Sequence, residues 1–248
     1  MIIDAHTHVD ESVVFGWIDP PETILELMDE AGIDMAVIMT YADVPGLNPD
    51  AVKYIADVVK KFPDRFFGFA RINPIGQNAE SILEEAILDL GLKGLKLHPE
   101  SITTHPFSDA TVKLVHKAAS IGAPVLFHSG DEYLSLPLQI GMLAEQCPEA
   151  KVILAHTGGY YHSEDAINLA AKYENVYIDT SAIPYPEKLK KAVRRIGAEK
   201  ILFGSDGPGC NPKLELLKIE GIGLSEKEKK LILEENILGI LERVKNKR

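Results

Sequence analysis

Residues 94–128, GLKLHPESITTHPFSDATVKLVHKAASIGAPVLFH, hold one complete unit of the chain's architecture. A β-rich apolar run (GLKLH, 94–98) leads through a polar loop and a helical stretch to a second apolar run (PVLFH, 124–128). Two strands joined by a crossover of this length pair in parallel, since an antiparallel pair needs only a tight turn. Each run ends on a histidine, His98 and His128.

The same unit recurs along the whole chain. Further apolar runs are IIDAH (2–6), MAVIM (35–39), FFGFARI (66–72), KVILAH (151–156), VYIDTS (176–181) and ILFGSD (201–206), which makes eight strands with the two above. The segments between them carry apolar residues at helical spacing: Ile24, Leu27, Met28 and Ala31, then Val52, Ile55, Ala56 and Val59, then Leu83, Ala86, Ile87 and Leu90. Ile140, Leu143, Ala144 and Cys147 continue the pattern, as do Leu189, Ala192, Val193 and Ile196. Asp19 before Pro20 and Pro21 marks a helix start, and Ser225 with Glu228 reads as a capping box before a final helix. Eight strand–helix units in 248 residues predict an α/β fold, a single (β/α)8 TIM-type barrel spanning 1–248. A doubly wound open sheet is the alternative, but the first strand is followed by HTHVDE rather than a glycine-rich phosphate loop.

In such barrels chemistry collects at the C-terminal ends of the strands. Here those ends carry His6 and His8, Arg71 and Asn73, His98, His128, His156, then Asp179, Thr180 and Ser181, and Asp206. His6 and His8 are one residue apart, so on a strand they share a face, roughly 7 Å apart at Cα. Of the eight histidines in the chain, five fall on this one rim. General polarity of strand ends accounts for Ser, Thr and Asn there. It accounts poorly for so many of a rare residue, which points to convergence on one metal ion.

DAHTHV, GLKLHP, LFHSG, LAHTGG and FGSDGP, in this order, resemble the amidohydrolase superfamily. More narrowly the chain is similar to the amidohydrolase-related group that includes aminocarboxymuconate-semialdehyde decarboxylase and related hydrolases and decarboxylases. The resemblance implies metal ligands at His6, His8, His128 and Asp206, and a proton-handling catalytic histidine at His156. Asp206 would also serve as base toward a metal-activated water. Three imidazoles and a carboxylate suit one divalent ion, zinc first, with iron, nickel, copper and manganese compatible. Lys96 has the strand parity of His98. It reads as a buried partner of Asp4 rather than as a carboxylated bridge between two metals. Arg71 is a candidate clamp for a substrate carboxylate. His98 is either a substrate contact or a group satisfied behind the ligands. Glu132, Tyr160 and Tyr161 lie in rim loops, where they would shape the pocket.

The totals narrow the function. A net charge of −11 without a basic patch argues against nucleic acid as a partner. No apolar run reaches the length of a membrane span, and no signal-peptide pattern opens the chain, so a cytoplasmic enzyme is expected. Cys147 and Cys210 lack metal-knuckle or disulfide spacing. The leading reading is a metal-dependent hydrolase of a C–N, ester or lactone bond in a small molecule. The alternative is a metal-dependent non-oxidative decarboxylase of an unsaturated or aromatic acid. The choice of hydrolase rests on the shortness of the chain. A TatD-like nuclease would need a metal-binding glutamate from a mid-barrel strand, which GFARINP and GLKLHP lack. A barrel using the metal only as a staple would not need the extra histidine. A homodimer is the expected assembly.

Overall fold

The computed structural model describes residues 1–12, 16–41 and 50–245. In chain order the strands are β1 (Ile3–His8), β2 (Asp10–Ser12), β3 (Trp17–Asp19), β4 (Met35–Met39), β5 (Phe66–Arg71), β6 (Gly94–Leu97), β7 (Val125–Phe127), β8 (Val152–Leu154), β9 (Val176–Asp179) and β10 (Ile201–Leu202). All except β2 and β3 form an eight-stranded sheet in the order β1-β4-β5-β6-β7-β8-β9-β10, every pairing parallel. The ring closes where β1 meets the segment after β10. There Ala5 N–H donates to the Phe203 carbonyl (2.8 Å), Asp206 N–H to that of His6 (2.8 Å), and His8 N–H to that of Gly207 (2.7 Å). The chain is a TIM barrel, as its alternating runs require.

The crossovers are α1 (Pro21–Ala31), α2 (Ala51–Lys61), α3 (Ala79–Leu88), α4 (Asp109–Ser120), α5 (Pro137–Gln146), α6 (Ser163–Lys172) and α7 (Pro186–Ile196), and α8 (Pro212–Gly221) follows the last strand. Their starts are chemically marked: Ser108 accepts from Thr111 N–H before α4, and Asn211 from Lys213 and Leu214 N–H before α8. The capping box of Ser225 and Glu228 opens α9 (Glu226–Lys230), which runs through a π-helical turn into α10 (Asn236–Leu241). Asp19 does not cap α1; it ends β3, and Pro20 is the residue before the helix. No helix among the described residues is long and apolar enough to cross a membrane.

The strands bury both faces. Outward side chains such as Ile38, Phe66, Leu95, Leu97, Val125 and Val152 pack against the helices. Inward ones, among them Ile3, Val37, Phe69, Leu126, Ile153 and Leu202, fill the barrel, and Ile237, Ile240 and Leu241 of α10 plug it. One departure from strict alternation matters for the site. The pairing of β1 with β4 shifts register between Asp4 and Thr7. A bulge of this kind re-aims side chains. Thus Ala5 packs in the interior cluster while His6 also reaches the central site.

Gly94 shows how tightly the interior is filled: a Cβ there would lie 2.5 Å from the Phe69 ring. Gly94→Ala is therefore expected to cost about 1–3 kcal/mol through overpacking. A chain of this size loses roughly 2–4 °C of Tm per kcal/mol. Thermal melts should show that drop, and should recover part of it when Phe69→Leu is added; an unchanged Tm for the single variant would contradict the packing described.

Candidate active site

The rim side chains meet above the apolar filling. Several do so from turns just beyond the ladder rather than from the strands themselves. His98 follows β6, His128 follows β7, and His156 sits in a 3-10 turn, Ala155–Gly158, after β8. The predicted runs are thus a few residues longer than the strands, because the backbone leaves the ladder to turn these side chains inward. His156 (φ 56°) and Asp206 (φ 65°) hold left-handed backbone, an arrangement that costs on the order of 1–3 kcal/mol per residue and clusters at functional sites.

Asp179, at the end of β9 and wholly buried, organises the centre. Its Oδ2 accepts from His6 Nδ1 at 2.9 Å, and its Oδ1 accepts from His156 N–H, Ser181 N–H and Ser181 Oγ–H at 2.8, 3.0 and 2.6 Å. Burial alone would push its pKa up. The hydrogen bonds it accepts from His6 and Ser181 hold it well below the usual carboxylate range. Gly204 leaves room for this approach, since a Cβ there would lie 3.0 Å from His6 Cβ and 3.4 Å from Asp179 Cγ.

The network assigns tautomers. An ionised Asp179 can only accept, so His6 carries its proton on Nδ1 and turns the Nε2 lone pair to the centre. That lone pair accepts from Lys96 Nζ at 2.9 Å and lies 3.4 Å from Asp206 Oδ1. His8 Nε2 lies 3.1 Å from the same Asp206 oxygen. Ligand atoms about 2.1 Å from a shared ion stand roughly 3.0–3.4 Å apart, the separation of Asp206 Oδ1 from each of these two nitrogens. Ser181 spends its hydroxyl proton on Asp179, so its oxygen accepts from His156 Nδ1 at 2.9 Å. His156 Nε2 then faces His128 Nδ1 at 3.1 Å, and His128 Nε2 lies 3.1 Å from Glu132 Oε1.

His6, His156 and Asp206 each offer one ligand atom within 4.8 Å of the others, a group able to hold a metal ion. Of the expected ligand set His6, His8, His128 and Asp206, His6 and Asp206 belong to this group, and His8 joins it through Asp206, 3.1 Å from its Nε2. His128 instead stands one layer out, against His156, and stacks on His98 with centroids 3.8 Å apart. Arg71 is buried beside the site, bonded to the Thr40 carbonyl and to Ser101 Oγ, and its charge reaches His8 and His98. Tyr160 and Tyr161 are exposed, their amides held by Asp131.

The expected pairing of Lys96 with Asp4 does not form. Asp4 Oδ1 accepts from the His6 and Ser205 amides, and Oδ2 has no hydrogen-bond partner among the described residues. The register shift in β1 separates Asp4 from the parity of His6, so the carboxyl turns away from Lys96. Asp179 and Ser181 are the residues whose part sequence reasoning missed. Their signal was an aspartate and a serine closing an apolar strand on the same rim.

Burial removes protons from the imidazoles. It lowers His6 to about 3, with Lys96 adding to the effect, and lowers His8, His98 and His128 as well. Asp206 is pushed up by burial but held well below its usual range by His8, His6 and His156. An unfolded chain takes up protons on these histidines near pH 6.5 while the folded one resists, so stability falls as pH drops through roughly 6.5 to 3. Asp4, raised by burial to about 7, and Glu215, also raised by burial, work in the opposite sense, two groups against four. Thermal scans of metal-free protein should therefore show Tm falling steadily between about pH 6.5 and 4; a flat or rising Tm on acidification would contradict the buried neutral imidazoles.

Proteins of similar sequence and shape are known. A γ-resorcylate decarboxylase of Polaromonas sp. is 24% identical, the match covering 87% of this chain and 85% of that protein. The crystal structure of a dihydroxybenzoic acid decarboxylase from Polaromonas sp., with bound manganese and the inhibitor 2-nitroresorcinol, superposes with a TM-score of 0.78 at 18% identity over 97% of this chain and 96% of that one. A putative 2-pyrone-4,6-dicarboxylic acid hydrolase from Pseudomonas putida gives 0.76 at 15% identity, over 98% and 97%. Residues 3–242, nearly the whole barrel, match the family described as amidohydrolase, and the chain belongs to that family.

Proposed function

We propose that this protein is a metal-dependent, non-oxidative decarboxylase of a hydroxylated aromatic acid. The observation that carries the reading is the match to γ-resorcylate decarboxylase across 87% of the chain. The sequence tilts toward hydrolysis only because the chain is short for a decarboxylase. The likeness to the manganese-holding decarboxylase covers 97% and 96% of the two chains, so a chain of this length carries the same barrel, which supports the decarboxylase reading.

His6, His8 and Asp206 would hold the ion, with His156 or His128 beside them. These donors suit zinc, the first choice from sequence, and also the manganese of the Polaromonas decarboxylase. When bound, the ion supplies positive charge that gathers and polarises the oxygens of the acid. Arg71, at the end of β5, faces the same space and would grip the carboxylate. His98, flat against His128, would line the wall beside the ring. The bond between ring carbon and carboxyl carbon breaks, carbon dioxide leaves, and the electron pair stays on the ring carbon. His156, having taken up a proton from solvent on Nε2, then gives it to that carbon and returns to the neutral ring protonated on Nδ1. Ser181 takes the Nδ1 proton of His156 as a hydrogen bond, which fixes Nε2 as the exchanging atom. A second reading, lactone hydrolysis with Asp206 drawing a proton from water, is favoured by the likeness to the pyrone dicarboxylic acid hydrolase.

Metal-stripped protein reloaded with manganese or zinc and given dihydroxybenzoic acids should release carbon dioxide and one equivalent of the decarboxylated phenol. His156→Ala should lower turnover by about 10²–10⁴-fold while the metal content, measured by mass spectrometry, stays near one ion. Ring opening of a lactone without gas release would replace the decarboxylase by the hydrolase. Loss of metal in the variant would move His156 from proton handling to ligation.

A further inference from the structure

The two histidines of β1 are held in different ways. His6 has its outer nitrogen fixed by Asp179 and Ser181. A histidine that ligates a metal almost always donates its other ring N–H in this manner, which sets tautomer and orientation. His8 lacks such a partner: its Nδ1 is buried without a hydrogen bond among the described residues. What holds its ring is a face. Tyr41, two residues past β4, stacks on His8 with centroids 4.5 Å apart and planes 11° from parallel.

Tyr41 is itself held from several sides, all by the β2–β3 hairpin. Its backbone N–H donates to Asp10 Oδ2 at 3.0 Å, and its hydroxyl is hydrogen-bonded to Asp19. Trp17 of β3 packs on its ring at 5.2 Å, tilted by 58°. The hairpin pairs Asp10 with Asp19 and Ser12 with Trp17, so these contacts come from one two-stranded piece. It follows β1 after a single residue, directly beyond His8.

We propose that Tyr41 is a positioning residue for metal binding, fixing the ring of His8 by stacking in place of the hydrogen bond that fixes His6. The inference rests on the reading of His8 as a metal ligand. The flat ring is the active feature and the hydroxyl serves to anchor it to the hairpin. Removing the ring lets His8 rotate about its side-chain bonds, and the ligand geometry is lost although no ligand has been changed.

The test uses the full-length, metal-stripped protein and manganese alone, titrated by calorimetry and by the electron paramagnetic resonance signal of free Mn²⁺. Wild type should bind about one ion. Tyr41→Leu should weaken binding by about 10–100-fold, the usual effect of losing a group that orients a ligand. Its circular dichroism spectrum should stay that of the wild type. Tyr41→Phe should bind close to wild type, because the ring remains. Trp17 is the one tryptophan in the sequence, so its emission reports the hairpin directly and should be preserved in Tyr41→Phe. Wild-type affinity in Tyr41→Leu would overturn the proposal, as would a Tyr41→Phe variant as weak as Tyr41→Leu, which would place the effect in the hydroxyl. Should Tyr41→Leu not fold, Tyr41→Met carries the same expectation, and the Tyr41→Phe result still decides against the ring if affinity is lost. No manganese or zinc bound by wild type would instead sink the metal-dependent reading itself, and this proposal with it.

Discussion

A single buried carboxylate, Asp179, sets the geometry on which the centre depends. Taking an ion out of water is expensive, and a carboxylate survives burial only when its oxygens are fully engaged. Those of Asp179 are engaged by a ring nitrogen, two backbone amides and a hydroxyl. In return it fixes where protons reside. His6 must present its lone pair inward, and Ser181, its own proton committed, must receive that of His156. The order of the polar centre follows from one charge and the donors that tolerate it.

Strain and precision go together on this rim. The left-handed backbone at His156 and Asp206 would be discarded by a sequence optimised for stability alone. It persists because surrounding bonds over-determine it: the His156 amide is tied to Asp179, and that of Asp206 to the carbonyl of His6. Barrel closure and site construction are therefore one event, since the bonds that join β1 to the segment after β10 also bring His6, His8 and Asp206 together.

The sequence made the architecture readable because strands buried on both faces must be apolar runs, and helices laid over them must be amphipathic. All eight barrel strands lie where those runs fall. The polar ends of the runs also identified which histidines share the rim. What was not readable depends on atoms far apart in the chain. The role of Asp179 exists only through His6 and His156, 173 and 23 residues away. The bulge in β1 has no residue signature in IIDAHTH, yet it decides that Asp4 and Lys96 do not meet. The β2–β3 hairpin is too short for periodicity to announce it, and nothing in the sequence ties Tyr41 to it. The inward position of His156 relative to His128 turns on backbone angles no motif encodes.

The two ends of the barrel are occupied by unlike materials, and that has an evolutionary reading. One opening is stoppered with hydrocarbon from the terminal helix, whose Ile237, Ile240 and Leu241 seal the filling. The other carries the strained turns, the charges and the exposed tyrosines. A lineage could therefore exchange the loops around the polar opening, trialling new substrates, while the sealed end keeps the cylinder closed. Structures that share this barrel at 15–18% identity fit such a division of labour.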